Sequence, residues 1–123
     1  MKKLLLVDDQ VSFLKMLSIK LEKMGYTVVT AENGLEGLKK ARAEIPDLIV
    51  IDIMMPVLDG FSAVEEIKKD ERTAAIPVIF LSAKGQENDR VRARELGAAD
   101  FIAKPFSPRL LIDLIERHAG IPR

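Results

Sequence analysis

Short apolar runs alternate along this chain with longer stretches that are apolar on one side only. Leu4 to Val7, Val28 to Thr30, Leu48 to Ile51, Val78 to Leu81 and Phe101 to Ala103 are rich in Val, Ile and Leu. Turn-forming or acidic residues bound them, and they predict strands. Their hydrophobicity is continuous rather than alternating, which predicts a sheet covered on both faces. The stretches between them carry helical stripes. Leu14, Leu17, Leu21 and Met24 share one face of a first helix, closed by Gly25 at a position that favours a left-handed residue. Asn33, with Glu36 three residues on, opens a second helix as a capping-box-like pair. Val64 and Ile67 mark a third helix, and Val91 and Leu96 a fourth over Asn88 to Leu96. Ser107 and Pro108 open a fifth as N-cap and first-turn proline, followed by Leu110, Leu111, Leu114 and Ile115.

Strands alternating with helices predict an α/β fold: a five-stranded parallel sheet wound by right-handed crossovers, with five helices on both faces. The strand order 2-1-3-4-5, flavodoxin-like and doubly wound, is adopted from the general behaviour of such sheets. It places strands 1 and 3 side by side at the switch point, with ligands at the carboxyl ends of the strands. The length of 123 residues suits one domain over 1–123.

The predicted strand ends carry the chemistry. Asp8 and Asp9 follow the first run, Asp52 the third, Ser82 the fourth and Lys104 the fifth. Carboxylates about 4 Å apart repel by about 4 kcal/mol at an effective dielectric of about 20, so three converging acids require a cation or a proton. A divalent metal site is the first expectation. Singly, each residue has an ordinary role: helix cap for Asp8 and Asp9, turn former for Asp52 and Ser82, solvated cation for Lys104. Four unrelated turns would not put acids, a hydroxyl and an amine on one rim of one sheet.

Charge and cysteine content narrow the classes. Lys plus Arg equals Asp plus Glu at 19 each, so there is no electrostatic footprint for direct nucleic-acid binding. The chain has no cysteine, which removes disulfides and thiolate chemistry and suits a reducing cytosol. The apolar run after Met1-Lys2-Lys3 is too short for a signal peptide, and no apolar stretch is long enough to span a bilayer. A cytoplasmic protein is expected.

The set Asp8-Asp9, Asp52, Ser82 and Lys104-Pro105 resembles the receiver domain of two-component response regulators, and the resemblance runs from Lys3 to His118. Two longer segments carry it: Asp52-Ile53-Met54-Met55-Pro56-Val57-Leu58-Asp59-Gly60 and Gly97-Ala98-Ala99-Asp100-Phe101-Ile102-Ala103-Lys104-Pro105-Phe106. The resemblance implies a phosphorylation-activated switch dependent on Mg²⁺ rather than an enzyme with a free substrate. Asp52 would take a phosphoryl group from a phosphohistidine donor, either a histidine kinase or a histidine phosphotransfer protein. The domain would promote its own phosphorylation and dephosphorylation. Asp8, Asp9, Asp52 and the backbone carbonyl of Met54 would hold the metal, Asp8 mainly through water. Lys104 would pair with Asp52 and then with the phosphoryl oxygens, and Ser82 would donate to a phosphoryl oxygen. Ser82 and Phe101 would be the switch residues, acting on an output surface of the fourth helix, fifth strand and fifth helix.

That surface would contact a downstream protein, and a phosphorylation-dependent homodimer is one form such contact takes. Phe101 has no hydroxyl, so any sensing of its rotamer rests on burial alone. The fourth helix has the thinnest apolar stripe, with Asp89, Arg90, Arg92, Arg94 and Glu95 exposed or bridging, which permits motion. Met54 and Lys84 flank the expected path of hydrolytic water, and Met54 cannot orient water, so a long-lived phosphoryl group is expected. The resemblance also implies a cis peptide before Pro105. His118 is expected to serve the end of the fifth helix rather than to donate phosphate.

Other classes leave different marks. A flavodoxin-like cofactor binder would cradle phosphate in a hydroxyl- or glycine-rich loop, whereas Asp8-Asp9-Gln10 repels anions in the absence of metal. A Mg²⁺-dependent phosphohydrolase with an aspartyl nucleophile would place its acids two apart after the first strand, not adjacent. Within the receiver class, a stand-alone switch is favoured over the excised regulatory domain of a transcription factor.

Overall fold

The computed structural model describes residues 2–83 and 87–122, the side chain of Glu87 excepted. Five strands and five helices alternate: β1 Lys3–Val7, α1 Val11–Lys23, β2 Thr27–Ala31, α2 Gly34–Glu44, β3 Leu48–Asp52, α3 Gly60–Lys69, β4 Val78–Ser82, α4 Glu87–Glu95, β5 Asp100–Ala103 and α5 Pro108–Ala119. The strands form one parallel sheet in the order β2-β1-β3-β4-β5, as expected.

Strand alternation sorts the core into two layers. Leu5, Val7, Ile49, Ile51, Val78 and Phe80 pack with Leu38 and Ala41 of α2, Ala63, Val64 and Ile67 of α3, and Ala93 of α4. Leu4, Leu6, Leu48, Val50, Ile79 and Leu81 pack on the other face with Leu14, Leu17 and Leu21 of α1 and Leu111, Leu114 and Ile115 of α5. Central strands buried on both faces are what the continuous apolar runs require.

The helix ends follow their sequence signals in most places. Asn33 accepts from the Glu36 N–H at 2.8 Å, Asp59 from the Ser62 N–H at 2.8 Å, and the Ser107 hydroxyl oxygen from the Leu110 N–H at 3.2 Å. The Glu36 carboxylate pairs with Lys40 rather than completing a capping box. Gly25 follows the end of α1 with φ of 107°, in the left-handed region expected.

Two expected stripe positions are corrected. Met24 caps α1 and is exposed, because the helix stops one residue before it. Val91 is 50% exposed, and small Ala93 is the α4 residue that reaches the core. Leu110 faces solvent, whereas Leu111, Leu114 and Ile115 are buried. Lys84 lies outside the described residues.

Candidate functional site

The same alternation that sorts the core also sorts the polar strand ends. Counting on from the last core residues, Asp8, Asp52 and Lys104 continue on the α1/α5 face, and Ser82 continues on the face covered by α2, α3 and α4. Asp52 and Ser82 are themselves the last residues of β3 and β4, so rigid sheet holds their backbones.

Asp8, Asp9 and Asp52 each offer a carboxylate oxygen within 4.8 Å of the others. Asp8 and Asp52 are buried and Asp9 is exposed. The Lys104 ammonium donates to Asp8 Oδ2 and to Asp52 Oδ2, both at 3.3 Å. Its Nζ also lies 5.9 Å from the centre of the Phe13 ring. The Gln10 N–H donates to Asp8 Oδ1 at 2.9 Å. Gln10 itself occupies the N-cap position of α1 and makes no side-chain cap, so the ordinary helix-cap role for Asp8 and Asp9 does not apply.

One ammonium does not balance three acids. At separations of 4.8 Å or less, each pair of carboxylates repels by about 3 kcal/mol or more at an effective dielectric of about 20. Burial raises the Asp8 carboxyl above the usual carboxylate range, against the Gln10 N–H and Lys104, which lower it. Burial, and then the neighbouring Asp8 charge, raise Asp52, while Lys104 and the Met54 N–H pull the other way. Burial lowers Lys104, but the two carboxylates outweigh it and hold the ammonium charged. The oxygen donors and residual negative charge suit a hard divalent cation such as magnesium.

The loop from β3 to α3 closes the site tightly. Leu58 N–H donates to Pro56 O at 2.8 Å around Val57, whose φ is 71°. That three-residue turn is strained at a β-branched residue. The loop is held by two glycines that each begin a helix. A Cβ on Gly60 would lie 2.4 Å from the Asp52 carbonyl oxygen, and one on Gly34 would lie 1.9 Å from the Leu58 carbonyl oxygen. Met54 and Val57 are exposed at the rim, at 69% and 74%. The Lys104-Pro105 peptide is cis, as expected.

The expected switch residues stand apart from the acids. Ser82 is buried, and its hydroxyl lies 3.0 Å from Asp89 Oδ2 and 3.2 Å from Ala83 O. Phe101 is half-buried against the α2/α3/α4 layer, with the Arg90 guanidinium 4.7 Å from its ring centre. His118 reaches Asp100 Oδ2 at 3.1 Å, tying α5 to β5 rather than serving only its own helix end. Nothing in the local pattern around Asp89 marks it as a partner of Ser82, because the contact depends on where α4 crosses β4.

Among the described residues, no helix is long and apolar enough to cross a membrane. A family model for the response regulator receiver domain matches residues 4–116. The chain is 47% identical over 108 residues to the alkaline phosphatase synthesis transcriptional regulatory protein PhoP of Bacillus subtilis, covering 88% of this chain and 44% of PhoP. It is 43% identical over 115 residues to protein PilH of Pseudomonas aeruginosa, covering 94% of this chain and 95% of PilH. The chain thus spans about half the length of the curated transcriptional regulators it matches, and nearly all of PilH. Among solved structures, the receiver domain of sensor histidine kinase PA1611 from Pseudomonas aeruginosa PAO1 superposes with a TM-score of 0.85 at 32% identity, covering 97% of this chain and 98% of that one. That structure carries a magnesium ion coordinated in its active-site cleft. With the sheet order, the acidic cluster and both strand-end segments in agreement, the chain belongs to the response regulator receiver domain family.

Proposed function

We propose that Asp52 accepts a phosphoryl group from a phosphohistidine donor and that the modified domain signals through α4, β5 and α5. The observation that carries this reading is the convergence of Asp8, Asp9 and Asp52 with Lys104 at the carboxyl edge of the sheet. An Asp52 oxygen attacks phosphorus, the P–N bond to the donor imidazole breaks, and its electron pair returns to the imidazole nitrogen, which takes up a proton. Lys104 already faces Asp52 and can follow the new phosphoryl oxygens as a mobile point charge. Ser82 gains an acceptor once those oxygens are present.

Asp8, Asp9, Asp52 and the Met54 backbone carbonyl would hold Mg²⁺. Bound there, the ion supplies charge neutralisation for the acids and the incoming phosphoryl oxygens. The donor is a histidine kinase or histidine phosphotransfer protein, and the output is a protein contact in the cytoplasm. A second reading, the regulatory domain of a longer transcriptional regulator, is favoured by the match to 44% of PhoP. The domain would then deliver its signal to an attached module rather than bind nucleic acid itself.

The metal assignment makes a signed prediction for stability. In metal-free buffer the raised carboxyls of Asp8 and Asp52 favour the folded state most when protonated. Their contribution is fully present below the unfolded-state carboxyl range and is lost as pH rises through the raised folded values. At neutral pH, Mg²⁺ should therefore raise Tm, and the increment should shrink on acidification through those raised values. Thermal scans with Mg²⁺ or a chelator, at neutral and acidic pH, check this. An increment that does not change with pH would contradict it.

Exposed Met54 offers hydrolytic water no polar group. Met54→Asn should shorten the phosphoryl lifetime by about 3- to 10-fold, through better positioning of the attacking water. A chase of phosphorylated protein by intact mass measures the rate, and an unchanged rate would rule out this role for the position.

A further inference from the structure

The acidic cluster leaves unexplained why Ser82, on the same sheet edge, makes no hydrogen bond to it among the described residues. Strand parity gives the reason. Ser82 continues the side of Val78 and Phe80, under α4, whereas Asp8, Asp52 and Lys104 continue the opposite side. Its hydroxyl has one proton to donate. The acceptors within reach are Asp89 Oδ2 at 3.0 Å and Ala83 O at 3.2 Å. Of the two, the carboxylate is the stronger acceptor, and the buried hydroxyl has little water to compete for it.

We infer that Asp89 is a positioning residue for Ser82: its carboxylate holds the hydroxyl on the α4 side, and a phosphoryl group on Asp52 must compete with Asp89 for that proton. The adjacent residue points the same way. Arg90 lies over the ring of Phe101, the other expected switch residue, 4.7 Å from its centre. Two consecutive residues of α4 thus contact both switch side chains, and transfer of the Ser82 proton from Asp89 to a phosphoryl oxygen breaks one of these ties. α4 is also thinly anchored, with Ala93 alone among its described side chains in the buried core. Arg92 also ties it to α3, donating to Glu65 at 2.8 Å and lying over the Phe61 ring, so the Ser82–Asp89 bond is one of a few contacts that fix it. Asp89 sets the resting state, and α4 reports its release.

This rests on the phosphoacceptor assignment of Asp52, and the test separates the two. The full chain is titrated with beryllofluoride in Mg²⁺, with affinity read by fluorine NMR. Wild type should bind and Asp52→Asn should not. If neither binds, or both bind alike, the acceptor assignment fails and the inference with it. Given binding to wild type alone, Asp89→Ala should tighten affinity on the order of 5- to 10-fold, because a competing charge-assisted bond no longer has to be broken. Asp89→Asn, which keeps shape and a neutral acceptor oxygen, should fall between the two, and it carries the test if Asp89→Ala misfolds. In a Ser82→Ala background, removing the Asp89 carboxylate should change nothing. Affinity unaltered by either Asp89 variant would overturn the inference. So would equal tightening with and without the Ser82 hydroxyl, since that is simple charge repulsion between Asp89 and the anion.

Discussion

Replacing Asp52 with Asn is expected to abolish phosphoryl uptake while leaving a folded and more stable domain. The substitution keeps the side chain's volume at a position only 5% exposed, so packing against β1 and β4 is retained. It removes the attacking oxygen anion, and an amide cannot form an acyl phosphate. The rate of uptake from a small phosphodonor in Mg²⁺ should fall on the order of 10³-fold or more. Stability should move in the opposite direction. Asp52 is raised by burial and by Asp8, so at neutral pH in metal-free buffer its charge opposes folding. Removing that charge should raise the urea-unfolding midpoint at neutral pH. Lost uptake together with a gain in metal-free stability is the signature of a functional charge. Loss of both would mean that Asp52 supports the fold.

The second large effect is expected at two glycines. Within a helix, alanine ordinarily stabilises by about 0.5–1 kcal/mol relative to glycine. At Gly60 the new Cβ would lie 2.4 Å from the Asp52 carbonyl oxygen and 2.9 Å from the Ile53 Cα. At Gly34 it would lie 1.9 Å from the Leu58 carbonyl oxygen. These obstacles are backbone, so no rotamer change relieves them. Both Gly34→Ala and Gly60→Ala should destabilise by about 3 kcal/mol or more, Gly34 the more severely, as a lowered urea midpoint. Gly60→Ala should also weaken Mg²⁺ binding, because the atoms it displaces belong to Asp52 itself. A neutral or stabilising Gly60→Ala would mean that the loop yields freely, and the strained turn at Val57 would then lack the support described for it.

Much of this fold is legible in the sequence. The continuous runs at Leu4–Val7, Leu48–Ile51 and Val78–Leu81 predicted a covered parallel sheet because only strands buried on both faces can be apolar throughout. The acids, Ser82 and Lys104 could be placed on one edge because each follows such a run. What periodicity alone missed is instructive. Val91 has the right residue type for a core stripe, yet it is half exposed, and among the described side chains of α4 it is Ala93 that lies in the buried core. Met24 continues the α1 spacing one residue beyond Lys23, where the helix has already stopped ahead of Gly25.

The edge also hid a division. Asp8, Asp52 and Lys104 fall on one side of the sheet and Ser82 on the other, a consequence of period-two alternation that has meaning only once each face has its helices. The Ser82–Asp89 contact and the two tight glycines are tertiary facts. They join segments whose approach no local pattern encodes.

Chemical mapping of the modified side chain decides whether Asp52 is the phosphoacceptor. The protein is phosphorylated in Mg²⁺ with a small phosphodonor, reduced with borohydride, digested and sequenced by mass spectrometry. Reduction converts an aspartyl phosphate to homoserine at the position that carried it. Homoserine is expected at position 52 alone, and none when Mg²⁺ is chelated. Homoserine at Asp8 or Asp9, phosphate retained on Ser82, or no modification in the presence of Mg²⁺ would contradict it.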